Sequence, residues 1–167
     1  MTTRVEQLAA QFAAVNDELS VLIIGCTDEQ WRQPCVDEAR TVGVVAHHAA
    51  TVQQASFTGM VALLAAGETY TPNTSMVEVD QRNAQQAREQ AAVGKAEILG
   101  ILHASAATIA RHLRGLADAH LERIAGTFGG HDLTVGQVIE MVVIGHAGVH
   151  LASIRATVAG DGRNQDD

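Results

Sequence analysis

Apolar residues recur along this chain in alternating steps of three and four, a spacing that suits long helices packed side by side. Val5, Leu8, Phe12, Val15, Leu19 and Leu22 form one such seam, and Leu99, Leu102, Ala106, Ile109, Leu113 and Leu116 another. A stripe this narrow marks near-parallel packing against neighbours of the same kind. Composition agrees: 47% of the 167 residues are hydrophobic but only 3% aromatic. Ala and Leu fit helices easily, whereas sheets prefer β-branched and aromatic residues. The length suits one domain with its own core.

Cap signals divide the chain. Thr3-x-x-Glu6 is a capping box that opens helix one, and Gly25 is its expected stop. Residues 26–40 lack a sustained period and read as a loop with one short turn capped by Thr27 and Gln30, Trp31 leaning on the bundle. Helix two opens at Thr41 and runs to about Ala66. A turn-rich break at Gly67–Thr74, with Pro72 and Asn73, leads to a polar outer helix from Ser75-x-x-Glu78 to about Ala92. Gly94 interrupts it, and helix three then carries the second seam to Gly115 or Leu116. Residues 117–133 read as a polar connection containing Gly126, Gly129 and Gly130. Helix four starts at Thr134, with Gln137 completing a capping box and Leu133 and Val138 placed as a hydrophobic staple. The expected fold is an all-α four-helix bundle, one domain over residues 1–160, followed by a disordered acidic tail over 161–167.

The totals restrict partners. A net charge of −8 argues against nucleic acid, whose phosphates require a basic surface. No apolar run of about 18 residues suggests a membrane span, and the N-terminus lacks the apolar block of a signal peptide. Cys26 and Cys35 have neither metal nor redox spacing and read as reduced thiols of a cytoplasmic protein.

The chemistry lies in the apolar run Val138 to Ile154, which contains His146-Ala-Gly-Val-His150. Histidines four apart stand one turn above each other and can reach one metal ion. The helical zinc-peptidase motif needs a Glu directly after the first His; here that residue is Ala147, which removes a peptidase reading. A third ligand comes from His47-His48. His48 has Val44, Val45 and Val52 a turn away and faces the core, whereas His47 is rotated about 100° onto a flank. His48 lies about 10 Å from the start of helix two, and His150 about 24 Å from the start of helix four and 12 Å from its end. The three histidines therefore share one height only if helices two and four are antiparallel. Helices two and three then run the same way, joined by a crossover over residues 67–94. No carboxylate is visibly placed as a general base, since Glu140 is turned away from the His146 face. His103 and His112 are nine apart, and His120 and His131 fall in connections, so none has ligand spacing.

Trp31-Arg-Gln-Pro34, Thr41-Val-Gly-Val-Val-Ala-His-His48, Val79-Asp80-Gln-Arg-Asn83 and Thr134-Val-Gly through His146-x-x-x-His150 follow one another in an order that resembles the DinB/YfiT-like superfamily. The nearest type is the N-terminal domain of mycothiol-dependent maleylpyruvate isomerases. The resemblance implies an up-down-down-up four-helix bundle, a divalent metal (zinc or nickel) on His48, His146 and His150, and in many cases a homodimer. It also implies thiol-dependent transferase or isomerase chemistry with mycothiol, bacillithiol or glutathione. Two features depart from the pattern. Arg40-Thr41 stands where Trp-Thr is frequent, and the further C-terminal domain of those isomerases has no counterpart here, so isomerisation of maleylpyruvate itself is not expected.

Three imidazoles leave open positions on an ion, as catalytic sites do and closed structural zinc sites do not. The expected function is a metal-dependent S-transferase or isomerase, with a small-molecule thiol held as thiolate and directed at an electrophilic substrate. Val45, Val52, Val142 and Val143 are the expected water-excluding walls. A metal-dependent hydrolase and a non-enzymatic metal- or ligand-binding protein are the rival readings.

Overall fold

A computed structural model describes residues 2–36, 38, 40–72, 76–89 and 92–161; the expected cap at Ser75 and all but the first residue of the acidic tail lie outside them. The fold is mostly helical. Helix α1 (Arg4–Gly25) starts on the Thr3–Glu6 capping box, both halves of which are formed. Helix α2 (Asp28–Arg32) is the short turn capped by Thr27 and Gln30. Helix α3 (Val42–Val52), a π-helical segment Gln53–Phe57 and α4 (Thr58–Ala65) then continue as one rod. The outer helix α5 (Met76–Glu89) and the long α6 (Lys95–Arg114) follow, then the short α7 (Asp118–Leu121). A last rod joins α8 (Val135–Gln137), a second π-helical segment Val138–Ile144 and α9 (Gly145–Asp161).

Two clusters fill the core. One gathers Leu8 and Phe12 of α1, Met60 and Leu64 of α4, Ile109 and Leu113 of α6, and Val138 and Val143 of the last rod. The other gathers Leu19 and Ile23 of α1, Val45 and Ala49 of α3, Ile98 and Leu102 of α6, and Leu151 and Ile154 of α9. The chain leaves α4 in the first cluster and enters α6 in the second. Helix α1 packs on α6 and α9, and α3 also packs on α6 and α9. Buried Gln53 ties the rods together by donating to Ser105 Oγ at 2.9 Å.

Three expectations need correction. The connection over 117–133 contains helix α7 and an antiparallel hairpin, β1 (Ile124–Phe128) and β2 (His131–Thr134). Its turn is Gly129-Gly130, both at positive φ, the backbone that two-residue hairpin loops demand. Both long outer rods carry a π-helical stretch, which a 3.6-residue period does not reveal. Finally, Arg4–Gly25 and Val135–Gly160 are long and apolar enough, averaged over a window, to match membrane spans. Counting uninterrupted runs missed this because scattered polar residues break each run. Their largest apolar side chains, such as Phe12, Leu19, Ile139 and Ile154, are packed inside the bundle.

The hairpin is latched to the segment after α4: Tyr70 N donates to Ala125 O at 2.6 Å. A Cβ on Gly126 would sit 1.8 Å from the Tyr70 carbonyl oxygen, whereas one on Gly129 would meet nothing within 4 Å. Gly129→Ala should therefore cost only the left-handed backbone penalty of about 1–2 kcal/mol. Gly126→Ala adds a backbone clash and should cost clearly more, about 3 kcal/mol or above. Urea midpoints of the two variants check the order.

Candidate metal centre

Helix α3 starts after Thr41, whose hydroxyl accepts from Val44 N at 3.4 Å, and presents His48 to α9. Helix α9 returns His146 and His150 from one face. The structure brings these three side chains together at the join of the two core clusters, between Val143 and Leu151 on the last rod. Ring centroids lie 5.3 Å apart for His48–His146, 5.0 Å for His48–His150 and 4.6 Å for His146–His150. One potential ligand nitrogen from each lies within 4.8 Å of the others.

Two outer groups set the rings' tautomers. Glu38 Oε1 lies 2.9 Å from His150 Nδ1, and Gln86 Oε1 lies 3.4 Å from His48 Nδ1. A carboxylate and an amide oxygen only accept, so each Nδ1–H donates outward and each Nε2 keeps its lone pair. The Gln86 amide is oriented in turn, because its Nε2 donates to Thr51 Oγ1 at 2.8 Å. The Thr51 hydroxyl donates to His47 O at 2.9 Å.

His150 Nε2 and His146 Nε2 stand 3.3 Å apart. Two nitrogens at zinc-like bond lengths in a tetrahedral arrangement stand roughly 3.3–3.4 Å apart. The residues therefore fit a divalent first-row ion, for which imidazole is a suitable ligand. Outer acceptors that orient ligating histidines are a regular part of such centres.

The electrostatics keep His48 and His146 neutral. Burial, followed by the neighbouring His150 and Arg40, pushes His48 down to about 4. Burial, His150 and His48 push His146 down to about 3. Burial alone would raise Glu38, but the His150 hydrogen bond and charge, with Arg40, hold it at about 2. Glu38 is thus an anion whose Oε1 faces His150 and whose Oε2 accepts from Arg40.

Two site features differ from expectation. His47, expected on a flank with only His48 facing inward, is as buried as His48, each 5% exposed. Every residue from Val42 to Ala50 is buried, so a 100° rotation separates the two rings without exposing either. Burial lowers the pKa of His47, opposed by Glu97, and its Nδ1 has no hydrogen-bond partner. The second difference is Glu38, an inward carboxylate where none was expected. It lies in the loop before α3, where helical periodicity says nothing about facing, and no sequence signal singled it out. Among the expected walls, Val142 lines the site while Val45 and Val143 sit deeper in the core. The wall that was missed is Phe57, edge-on to His146 at 5.2 Å between centroids. Of the other histidines, His103 Nε2 meets Ser20 Oγ at 3.2 Å and His120 Nδ1 accepts from Ala117 N.

Two clefts lie nearby, one reaching His146 and His150 and the other reaching Glu38 but none of the three histidines. One, of about 370 Å³, has Phe57, Met141, Val142 and Val149 around His146 and His150. The other, of about 540 Å³, has Arg40, Asp80, Asn83 and Arg88 beside Glu38.

These features set the acid response. His48 and His146 have folded pKa values below the usual 6.5, so the unfolded chain takes up their protons first and stability falls as pH drops below 6.5. Glu38, held at about 2 against its usual 4.5, contributes above 4.5 and loses that contribution as pH falls toward 2. Metal-free protein should therefore lose stability continuously on acidification, and His146→Ala should flatten the slope between pH 6.5 and 3. Urea titrations across that range measure it. Glu38→Gln should lower metal affinity by roughly 10–100-fold with the helical fold intact, as read by competition with a chromogenic chelator.

Comparison with known proteins agrees with this architecture. The family model described as the DinB superfamily matches residues 11–154. Among solved structures, the mycothiol-dependent maleylpyruvate isomerase superposes with a TM-score of 0.63 at 12% identity. That alignment covers 92% of this chain and 63% of the isomerase, so the chain spans less than two thirds of that protein's length. A histidine-to-alanine mutant of the same isomerase gives the same values. No curated protein matches the sequence. With its helical architecture, its three-histidine cluster and a family match over most of its length, the chain belongs to the DinB superfamily.

Proposed function

We propose that this protein is a divalent-metal-dependent thiol S-transferase or isomerase, with His48, His146 and His150 as the ligands of zinc or nickel. The observation that carries the reading is the convergence of one ring nitrogen from each of the three histidines, two of the rings being oriented by outward Nδ1–H donation to Glu38 and Gln86. When bound, the ion supplies a Lewis acid that lowers the pKa of a small-molecule thiol and fixes its direction. The chain's own residues hold His48 and His146 neutral, exclude water with Phe57 and Val142, and leave an apolar cleft beside His146 for an electrophilic substrate. The similar isomerase is mycothiol-dependent, which supports a low-molecular-weight thiol as cosubstrate.

The same reading takes the bundle as up-down-down-up. The N-terminal half of α1, the C-terminal end of the α3–α4 rod, the C-terminal end of α6 and the start of the last rod share one core cluster, which supports it. Cytoplasmic placement is supported by the two buried, unbridged thiols of Cys26 and Cys35. A homodimer is supported by apolar residues left on the surface of α1, Val21 at 70% and Ile24 at 64% exposure. Light scattering at micromolar concentration should return twice the chain mass.

Metal-loaded protein should lower the apparent pKa of a bound thiol well below about 8.5, and chelation should abolish thiol transfer while helical circular dichroism persists. His48→Ala should lose both metal and transfer. His47→Ala should keep the metal and most of the rate, because its ring is not in the cluster, although it empties a buried position. Metal content and thiol consumption measured on the same preparations decide this. Metal-loaded wild type without thiol consumption would leave the ligand-binding reading.

A further inference from the structure

Helix α5 differs from the other long helices in adding nothing to the core. From Val77 to Glu89 no residue is buried; Val79, Asn83, Gln86 and Ala87, on its inward face, are partly buried. The cleft of about 540 Å³ sets it off from the loop that carries Glu38, and it packs against α3. A polar helix of 14 residues is marginal in water by itself. Its place on the bundle therefore depends on what it meets at α3.

What it meets there is one of the three clustered histidines. Gln86 Oε1 stands 3.4 Å from His48 Nδ1, and Gln86 Nε2 donates to Thr51 Oγ1 at 2.8 Å. The neighbouring bonds fix the amide this way round. Thr51 gives its one hydroxyl proton to the His47 carbonyl, so toward Gln86 it can only accept. Gln86 Oε1 is left for His48, and an ion on His48 Nε2 requires the ring proton on Nδ1. Without an ion a neutral imidazole has two tautomers, and only the one with Nδ1–H can donate to Gln86. Coordination removes the other tautomer and, by drawing electron density from the ring, makes the remaining N–H a stronger donor.

We propose that Gln86 is a positioning residue through which metal occupancy at His48 and docking of helix α5 are coupled, each favouring the other by the same factor. Such coupling is reciprocal by thermodynamic necessity. An outer acceptor on a ligating histidine is worth roughly 10–100-fold in metal affinity, so ion binding should hold α5 in place more firmly by the same factor. The proposal rests on the three-histidine metal assignment, but not on any reaction at the ion.

Amide hydrogen exchange read by mass spectrometry tests it, on metal-free and zinc-loaded protein, alongside zinc affinity from competition with a chromogenic chelator. In wild type, zinc should slow exchange across α5 by roughly 10–100-fold. Gln86→Leu keeps a good helix former of similar size that neither donates nor accepts, and it should bind zinc more weakly by a similar factor. Its α5 should exchange at one rate with and without saturating zinc, while α6 still slows because ion binding stabilises the whole fold. Gln86→Glu restores the acceptor and should restore both the affinity and the slowing. A residue that merely tethers α5 would, once replaced, speed exchange equally with and without zinc and leave the affinity unchanged. That result overturns the proposal, as does equal loss in the Leu and Glu variants. Failure of wild type to bind zinc would overturn the metal assignment and the coupling together. Intact coupling without consumption of any thiol would overturn the transferase reading alone.

Discussion

Holding three imidazoles together in an enclosed place, with one nitrogen of each turned toward the others, is the condition on which the rest of this structure depends. Burial depresses the basicity of His48 and His146, but it does not choose which nitrogen carries the proton. That choice is made from outside the triad, by Glu38 on His150 and Gln86 on His48. An apolar core with the same three histidines and no such acceptors would leave the rings free to pair with each other through either nitrogen. The loop before α3 and the polar helix α5, which contribute little to the core, are therefore parts of the centre.

The rods that carry the ligands are regular α-helix only in part. A π-helical stretch follows His48 by five residues, and another ends two residues before His146. Wider turns of this kind recur at functional sites because they rotate the residues that follow without breaking the rod. Here they accompany the placement of Phe57 edge-on to His146. Thr58 reinforces the first of them, its backbone N–H and its hydroxyl both donating to Gln53 O, the latter at 3.0 Å. Gln53 faces the other way and holds α6 through Ser105, so the irregular segment is braced from inside the bundle.

What was legible in the sequence follows the same division. Caps and seams are local and periodic, so Thr3, Thr27, Thr41 and Thr134 marked helix starts that the structure reproduces within a residue. The convergence of His48, His146 and His150 was also readable, because two sit at helical spacing and the third follows from facing and height. His47 was misjudged because facing arguments assume one exposed side, and α3 is enclosed throughout its first nine residues. The hairpin was missed because its strands are short and flanked by glycines, which reads as loop when polarity is the only signal. Glu38 was beyond reach for a different reason. Its contact with His150 spans 112 residues and starts from a loop, where no period relates one side chain to another.

The unforeseen carboxylate would at first sight favour a hydrolase, since water attack needs a base near the ion. Its contacts argue otherwise. A general base must have an oxygen free to reach the proton it removes, and both oxygens of Glu38 already face donors, His150 on one side and Arg40 on the other. A carboxyl held at about 2 is also a poor proton acceptor at neutral pH, because catalytic bases work best when their pKa lies near the operating pH. Glu38 is better described as the group that orients His150. A thiol needs less help than water, because its pKa lies near 8.5 and an adjacent metal lowers it further. The same Glu38 contacts that disfavour water as the nucleophile therefore remain compatible with a thiol.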